Sequence, residues 1–203
     1  MRGIAVGEPA PSFRLPSALG PEVSLDDFRG RKNTIVWFTK GMACPFCRAH
    51  MSQLARGYAE FQKLDAELLE ISLSAPERAR FYASKFSLPF PYLCDPDYRV
   101  RRRWLLGDRS HSVAWYAMMW CYTLKLKPPA SDFGGANVTA GEKLSALYDD
   151  DSGFFVVDKH GIVRYRLAGS FVDYRLKAPR PIPSNEEIVA ELERCQSGSA
   201  ACG

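Results

Sequence analysis

The feature that most constrains the fold is a pair of cysteines, Cys44 and Cys47, separated by Pro45 and Phe46. The pair follows a β-branched and aromatic run at residues 34–38 through a short loop, and Pro45 is a residue that favours the first turn of a helix. This order of strand, loop, Cys-x-x-Cys and helix places both sulfurs at a helix N-terminus. Unpaired N–H groups and the helix dipole favour thiolate over thiol there. The pattern therefore predicts an exposed, reactive dithiol.

Short apolar runs alternate with longer helical patterns along the chain, which is typical of an α/β fold. The predicted strands lie at residues 34–38, 68–73, 92–94, 153–157 and 162–167. The last two flank Asp158-Lys159-His160-Gly161, and a four-residue connection that ends in glycine predicts an antiparallel hairpin. The central sheet is therefore predicted to be mixed.

Three helices have clear start signals. The first is predicted over residues 45–61, where apolar side chains recur at three- and four-residue intervals. A second is predicted to begin after Ser74, with Glu77 completing a capping box. The last is predicted to begin in the same way, with Ser184 and Glu187 as the capping pair.

Length and composition are those of an ordinary globular protein. The 203 residues predict one domain over residues 1–196, with an inserted segment at 104–151 and a flexible tail at 197–203. The hydrophobic content of 46% and charged content of 25% exclude a collagen, a coiled coil and wholesale disorder. Within the insertion, residues 113–122 are apolar on every face, which predicts burial in a core or against another subunit.

Charge and hydropathy limit the classes of partner that we expect the protein to bind. The net charge is +4, and the basic run at residues 99–103 predicts a solvated helix face, because no nucleic-acid-binding motif accompanies it. No apolar run approaches the roughly 18–20 residues of a membrane span, and the N-terminus lacks the apolar segment of a secretory signal. We therefore expect a cytoplasmic protein with no nucleic-acid and no membrane partner.

The sequence contains six cysteines, and in a reducing compartment a close pair is more often catalytic or metal-binding than structural. A zinc site completed by distant cysteines is the alternative use of the motif pair, although we expect no metal and no cofactor. Cys94 and Cys121 are predicted to pack in the core. Cys195 and Cys202 lie in the last helix and the tail, where either is an alternative resolving thiol.

Six fragments recur along the chain in a characteristic order and spacing. They are GEPAPSFRL at 7–15, VSLDDFRG at 23–30, WF at 37–38, IS at 71–72, FPYLCDPD at 90–97 and FVVDKHGIVRY at 155–165. Together these fragments resemble the peroxiredoxin-like branch of the alkyl hydroperoxide reductase/thiol-specific antioxidant family. The resemblance covers most of the chain and implies a thioredoxin fold with a central mixed sheet flanked by helices.

The chain departs from the family pattern Pro-x-x-x-Thr-x-x-Cys at the motif itself. Counted back from Cys47, Lys40 stands in place of the proline and Cys44 in place of the threonine. The family also places an arginine just before the late strand, where this chain has three aspartates at 149–151, predicted to be a solvated loop. Family spacing assigns the attacking thiol to Cys47, whereas the outward N-cap position favours Cys44.

The resemblance implies an enzyme that reduces hydroperoxides through Cys44 and Cys47, cycling through sulfenic acid and an intramolecular disulfide. Lys40, Arg48 and His50 are candidates for tuning the pKa of the thiols. The implied partners are a hydroperoxide or disulfide substrate and an external thiol reductant of the thioredoxin or glutathione type. The resemblance is also compatible with a homodimer. The alternatives are a thiol–disulfide oxidoreductase, or a non-enzymatic redox sensor or binding module.

Overall fold

The computed structural model describes residues 4–105, 112–114, 117, 121, 127, 130–143, 151–170, 172–173 and 178–197. The described strands are β1 (Arg14–Leu15), β2 (Val23–Ser24), β3 (Asn33–Thr39), β4 (Ala66–Ser72), β5 (Tyr92–Cys94), β6 (Asp151–Val157), β7 (Val163–Ser170), β8 (Val172–Asp173) and β9 (Ala178–Pro179). The described helices are α1 (Pro45–Lys63), α2 (Pro76–Lys85), α3 (Arg99–Leu105) and α4 (Asn185–Ser197).

A five-stranded sheet in the order β5-β4-β3-β6-β7 forms the centre of the fold. β3, β4 and β5 are parallel, with α1 and α2 as the connections between them. β6 runs antiparallel to β3, and β7 returns beside β6 as a hairpin. The mixed sheet, its five predicted strands and the hairpin are therefore confirmed.

Both faces of the sheet are covered. β3 is buried along its whole length, which is why it appears in the sequence as a continuous apolar run. Ile35 and Trp37 lie in one core with residues of α1, α2 and α4. Val36 and Phe38 lie in a second core with the N-terminal segment and α3. Successive side chains of this central strand thus point alternately into the cores on the two faces of the sheet.

Two pairs of short strands were not predicted. β1 pairs with β2, and β8 pairs with β9, each through two residues per strand. A two-residue strand has no measurable alternation, so hydrophobic periodicity gives no signal for it.

The two predicted capping boxes have different outcomes. In α4, Ser184 accepts from the Glu187 N–H at 3.2 Å and the Glu187 carboxylate accepts from the Ser184 N–H at 2.7 Å, as predicted. In α2 the capping box is wrong, because the N-cap is Ala75 and has no side-chain cap hydrogen bond. The Ser74 hydroxyl instead lies 3.0 Å from the Tyr92 hydroxyl.

The basic run at 99–103 is not solvated throughout. Arg101 is 3% exposed, and its guanidinium donates to the Thr39 carbonyl at 2.7 Å. The prediction of a solvated face is wrong at this position, because α3 turns one arginine inward against the end of β3.

Part of the predicted insertion packs on the domain. Phe133 is buried and contacts the ring of Phe86, while Glu142 pairs with Arg78 on α2 at 2.9 Å. The apolar stretch at 113–122 is described at four positions, and Val113, Ala114, Ala117 and Cys121 are all exposed. Core packing is therefore wrong for those four, including Cys121, whereas the rest of the stretch and the aspartates at 149–150 lie outside the described residues.

Within the described part of the chain, none of the helices combines the length and the apolar character that crossing a bilayer requires.

Candidate active site

β3 carries the chain to the dithiol. It lies between β4 and β6, and its carboxyl end leads directly into the loop before α1. Residues 41–43 form one 3₁₀ turn, and Cys44 then takes an extended conformation, with φ −94° and ψ 117°, as the N-cap of α1. Pro45 follows in the first turn, where its missing N–H costs nothing. The predicted order of strand, loop, cysteine pair and helix is confirmed.

A buried tyrosine, Tyr92, packs against the loop that precedes the cysteine pair and holds it in place. The Tyr92 hydroxyl accepts from the Met42 N–H at 3.4 Å and also bonds to the Ser74 hydroxyl. Gly41 has φ +69°, and a Cβ at this position would overlap the Tyr92 hydroxyl. Only glycine meets both the backbone and the space requirement at this turn.

Gly41→Ala is expected to lose about 2–6 kcal/mol of unfolding free energy, from backbone strain of about 1–3 kcal/mol and overpacking of similar size. Denaturant unfolding measures the loss. The matched control is Gly30→Ala, because Gly30 has φ +75° but open space around a Cβ. Gly30→Ala should show the backbone cost alone, so equal losses in the two variants would show that Tyr92 does not constrain the loop.

Cys44 is placed to be a thiolate. The Cys47 N–H donates to the Cys44 sulfur at 3.4 Å across the first turn of α1. Burial by itself raises the pKa of Cys44, but the hydrogen bond from the Cys47 thiol and the charge of Lys40 outweigh it. Together with the backbone N–H groups of Phe46 and Cys47, they lower the pKa to about 7.

Cys47 has the opposite electrostatic environment. Burial, the hydrogen bond to Cys44 and the negative charge on Cys44 all raise the pKa of Cys47 well above its usual value. Two donors oppose that shift, the hydroxyl of Thr39 and the backbone N–H of Lys40. Of the two sulfurs, Cys44 is therefore the one that forms a thiolate more readily, and Cys47 is the one that keeps its proton.

The pair is less open than the sequence predicts. Cys44 is 6% exposed and Cys47 is 1% exposed, so the prediction of an exposed dithiol is wrong for the reduced protein. The Cys44 sulfur accepts from the Cys47 N–H across the first turn of α1. Cys44 is still the more exposed of the two.

The three candidates for pKa tuning occupy different environments. Lys40 supplies positive charge to Cys44 from the loop. The Arg48 guanidinium donates to the Met42 carbonyl at 2.5 Å, which ties α1 to the loop. Burial lowers the pKa of His50 to about 4, so its imidazole is neutral at pH 7 and brings no charge to the thiols.

A crevice of about 320 Å³ lies on the Cys47 side of the dithiol. Its lining includes Trp37, Cys47 and His50, together with Arg180 and Ile182 from the segment before α4. The Trp37 indole and the His50 imidazole meet edge to face, with ring centroids 6.3 Å apart. Cys47 is among the residues that line this crevice, and Cys44 is not.

The other cysteines lie apart from this pair. Cys94 is fully buried, which confirms its predicted core position, and burial raises its pKa to about 11. Burial also raises the pKa of Cys195, to about 12, so neither is a thiolate at neutral pH. Cys202 lies outside the described residues. Among the residues that the structure describes, no three His, Cys, Asp or Glu side chains form a group that could hold a metal ion.

Sequence reasoning did not identify Thr39 and Tyr92 as site residues. Both contact the dithiol or its loop, and both are 1–2% exposed. One signal was available for Thr39, because it is the last residue of an otherwise apolar run and directly precedes the loop. Tyr92 gave no such signal, since it is 50 residues away in sequence from the N–H that it accepts.

Fold and site together define a thioredoxin-like protein with a thiol pair at the start of its first long helix. A model of the AhpC/TSA family matches residues 6–123, which is more than half of the chain. The chain belongs to the AhpC/TSA family.

Curated relatives agree with this family. Rv2521 of Mycobacterium tuberculosis, named as a peroxiredoxin, is 35% identical over 98 residues, which cover 48% of this chain and 62% of that protein. Peroxiredoxin Bcp of Escherichia coli is 33% identical over 111 residues, which cover 54% of this chain and 70% of that protein. The chain thus spans less than two thirds of the mycobacterial relative that it matches.

Solved structures share the fold. A reduced 2-Cys peroxiredoxin of Plasmodium vivax superposes with a TM-score of 0.62 at 16% identity, over 97% of this chain and 99% of that one. Peroxidoxin BcpB of Mycobacterium tuberculosis gives 0.61 at 16% identity, over 94% and 97%.

Proposed function

We propose that this chain is a thiol-dependent peroxidase whose redox dithiol is Cys44 and Cys47. The Cys44 thiolate attacks one peroxide oxygen, the O–O bond breaks, and water or an alcohol leaves with a proton from solvent. Cys44 is then a sulfenic acid. The Cys47 sulfur attacks the Cys44 sulfur, the S–O bond breaks, and water leaves with the Cys47 proton. Two equivalents of an external thiol, of the thioredoxin or glutathione type, reopen the disulfide.

The observation that carries this proposal is the difference between the two sulfurs. The pKa of Cys44 is lowered to about 7, so about half of it is thiolate at neutral pH, while the pKa of Cys47 is raised. This difference distinguishes a nucleophile from its resolving partner, and the Cys47 N–H donates to the Cys44 sulfur at 3.4 Å. The relatives named peroxiredoxins support a peroxide as the oxidant. Because the cycle starts from free thiols, we place the protein in the reducing cytoplasm.

A thiol–disulfide oxidoreductase is the second candidate. It is favoured by one observation, that Cys44 occupies the position where the family pattern has a peroxide-orienting threonine. An N-cap thiolate with a neighbouring thiol is also suited to attack on a disulfide sulfur.

Paired steady-state assays on the purified, reduced protein distinguish the two functions. We expect hydrogen peroxide to be consumed far faster than by free cysteine when a thioredoxin or glutathione system regenerates the dithiol. We expect little acceleration of insulin reduction under the same conditions. Peroxide consumption at the rate of free cysteine, together with rapid insulin reduction, would replace the first function by the second.

A further inference from the structure

The crevice beside the dithiol is not used by the proposed attack on peroxide. Cys44, the proposed nucleophile, is not among its lining residues, whereas Cys47 is. The volume of about 320 Å³ lies at the lower end of the range for small-molecule sites. The lining is mainly apolar, and among the described residues that form it Arg180 is the charged one. Apolar surroundings with a few polar groups are typical of a site for a small ligand.

The part of the lining at residues 180–182 is held in place by contacts with α1. The side-chain amide of Gln53, on α1, donates to the Pro183 carbonyl at 2.7 Å. The backbone carbonyl of Gln53 accepts from the side chain of Asn185 at 2.8 Å. Pro181 and Pro183 also restrict the backbone of this segment, because the proline ring fixes φ. The segment is therefore in position before any ligand binds.

Both cysteines are shielded from bulk solvent in the reduced protein. Cys44 is 6% exposed and Cys47 is 1% exposed. Thiol–disulfide exchange requires access of the attacking thiol to one sulfur of the disulfide. A protein thiol gains that access only at an exposed sulfur, whereas a small thiol in the crevice lies beside Cys47. The burial of the pair therefore favours a small reductant.

The two sulfurs also differ as leaving groups. When a thiol attacks one sulfur of a disulfide, the other leaves as a thiolate, and the better stabilised thiolate leaves faster. Cys44 is the N-cap of α1 and accepts from the Cys47 N–H at 3.4 Å, so the helix N-terminus stabilises a thiolate at Cys44. A thiolate at Cys47 would lie on a residue that is 1% exposed. Attack at Cys47, with Cys44 leaving, is therefore the favoured direction.

We propose that the crevice binds a low-molecular-mass thiol with a carboxylate group, of the glutathione type, which reduces the disulfide by attack on the Cys47 sulfur. The inference rests on the proposed dithiol cycle and specifies its reductant. The carboxylate pairs with the guanidinium of Arg180, which lines the crevice.

The exchange balances with two molecules of the thiol. The first loses its proton to solvent as its sulfur bonds to Cys47, the Cys44–Cys47 bond breaks, and Cys44 leaves as a thiolate. The second loses its proton and attacks the outer sulfur of the mixed disulfide. Cys47 then leaves and takes up a proton. The products are the reduced dithiol and the oxidised small-molecule disulfide.

The test starts from protein oxidised with diamide, so it needs no peroxide. After rapid mixing with glutathione, acid quenching and alkylation of free thiols, mass mapping should find glutathione on Cys47 and the alkyl group on Cys44. The rate should saturate with glutathione concentration, because the reductant binds before it reacts. Glutathione on Cys44 would overturn the proposal. A rate that stays proportional to concentration, with no preference over cysteamine, would overturn it too.

Arg180→Gln tests the contact with the carboxylate. Loss of a charge-assisted hydrogen bond predicts that the half-saturating glutathione concentration rises at least about tenfold. Cysteamine, a small thiol without a carboxylate, should reduce this variant and the unmodified protein at the same rate. Arg80→Gln is the matched control, because Arg80 lies on α2 with an exposed side chain. Equal effects of Arg180→Gln on both thiols would overturn recognition of the carboxylate at this site.

Three further outcomes separate this inference from the proposed peroxidase. If glutathione opens the disulfide at Cys47 in a protein that does not consume peroxide, the peroxidase is overturned and the reductant site remains. If thioredoxin opens the disulfide faster than glutathione at equal thiol concentration, the small-thiol site is overturned and the peroxidase remains. Failure of diamide to form a Cys44–Cys47 disulfide would overturn both.

Discussion

Cys44→Ser is expected to lose at least about 50-fold in the rate of oxidation by hydrogen peroxide at pH 7. Cys44 is about half thiolate at this pH, because its pKa is lowered to about 7. The pKa of Cys47 is raised well above its usual value, mainly by burial, so far less of Cys47 than of Cys44 is ionised at this pH. Burial persists in the variant, so Cys47 does not replace the lost nucleophile.

Cys47→Ser is the matched variant and should behave differently. The serine hydroxyl still donates to the Cys44 sulfur, so Cys44 should form a sulfenic acid that a dimedone-type reagent labels. The rate of labelling should rise with pH through a midpoint near 7. If the label instead marks Cys47 in Cys44→Ser, and nothing in Cys47→Ser, the attacking thiol is the one that family spacing assigns, and the two roles are reversed.

Glu70→Met is expected to stabilise the fold by at least about 2 kcal/mol at pH 8. Glu70 lies in β4 between Trp37 and Tyr92, is fully buried, and has no hydrogen-bond partner for either carboxylate oxygen in the described structure. An unsatisfied buried polar group costs about 1–3 kcal/mol, and methionine of similar length removes that cost.

The stabilisation that Glu70→Met provides should increase with pH. Burial raises the pKa of Glu70 well above its usual value, so the folded state binds a proton that the unfolded state releases above about pH 4.3. Between the unfolded and the folded pKa, the stability of the unmodified protein therefore falls by about 1.4 kcal/mol for each pH unit. Glu70→Met lacks this loss, and Glu70→Gln should lack it too.

Urea unfolding of each variant at pH 5 and pH 8 measures the effect. Glu67→Met is the control on the same strand, because Glu67 accepts from Tyr58 and pairs with Lys32 at 3.0 Å. That substitution removes satisfied contacts and should destabilise the fold. A loss of stability in Glu70→Met at both pH values would show that the carboxyl has a stabilising partner in solution.

Local signals predicted most of the fold. The five sheet strands, α1 and the capping box of α4 each follow from residues within about four positions of one another. The same signal was wrong at Ser74, because its hydroxyl has a competing partner, Tyr92, 18 residues away. A capping pattern describes what a side chain is able to do, and tertiary contacts decide whether it does so.

The position of the cysteine pair at the start of a helix was predictable from the sequence. The N-cap position of Cys44 follows from Pro45 and the helix start, and the structure bears out the hydrogen bond from the Cys47 N–H. The burial of the pair was not predictable, because it depends on how the loop folds over Tyr92 and Thr39. The inward turn of Arg101 is similar, since five neighbouring basic and apolar residues give no signal for which one meets the end of β3.

The most direct test of the mechanism is time-resolved mass mapping of the reduced protein after one equivalent of hydrogen peroxide, with a sulfenic acid trap present. The proposed mechanism predicts that the trap first appears on Cys44 and that untrapped molecules then contain a Cys44–Cys47 disulfide. It also predicts that Cys44 is oxidised far faster than hydrogen peroxide oxidises free cysteine. First labelling of Cys47, a disulfide to any other cysteine, or oxidation at the rate of a free thiol would contradict it.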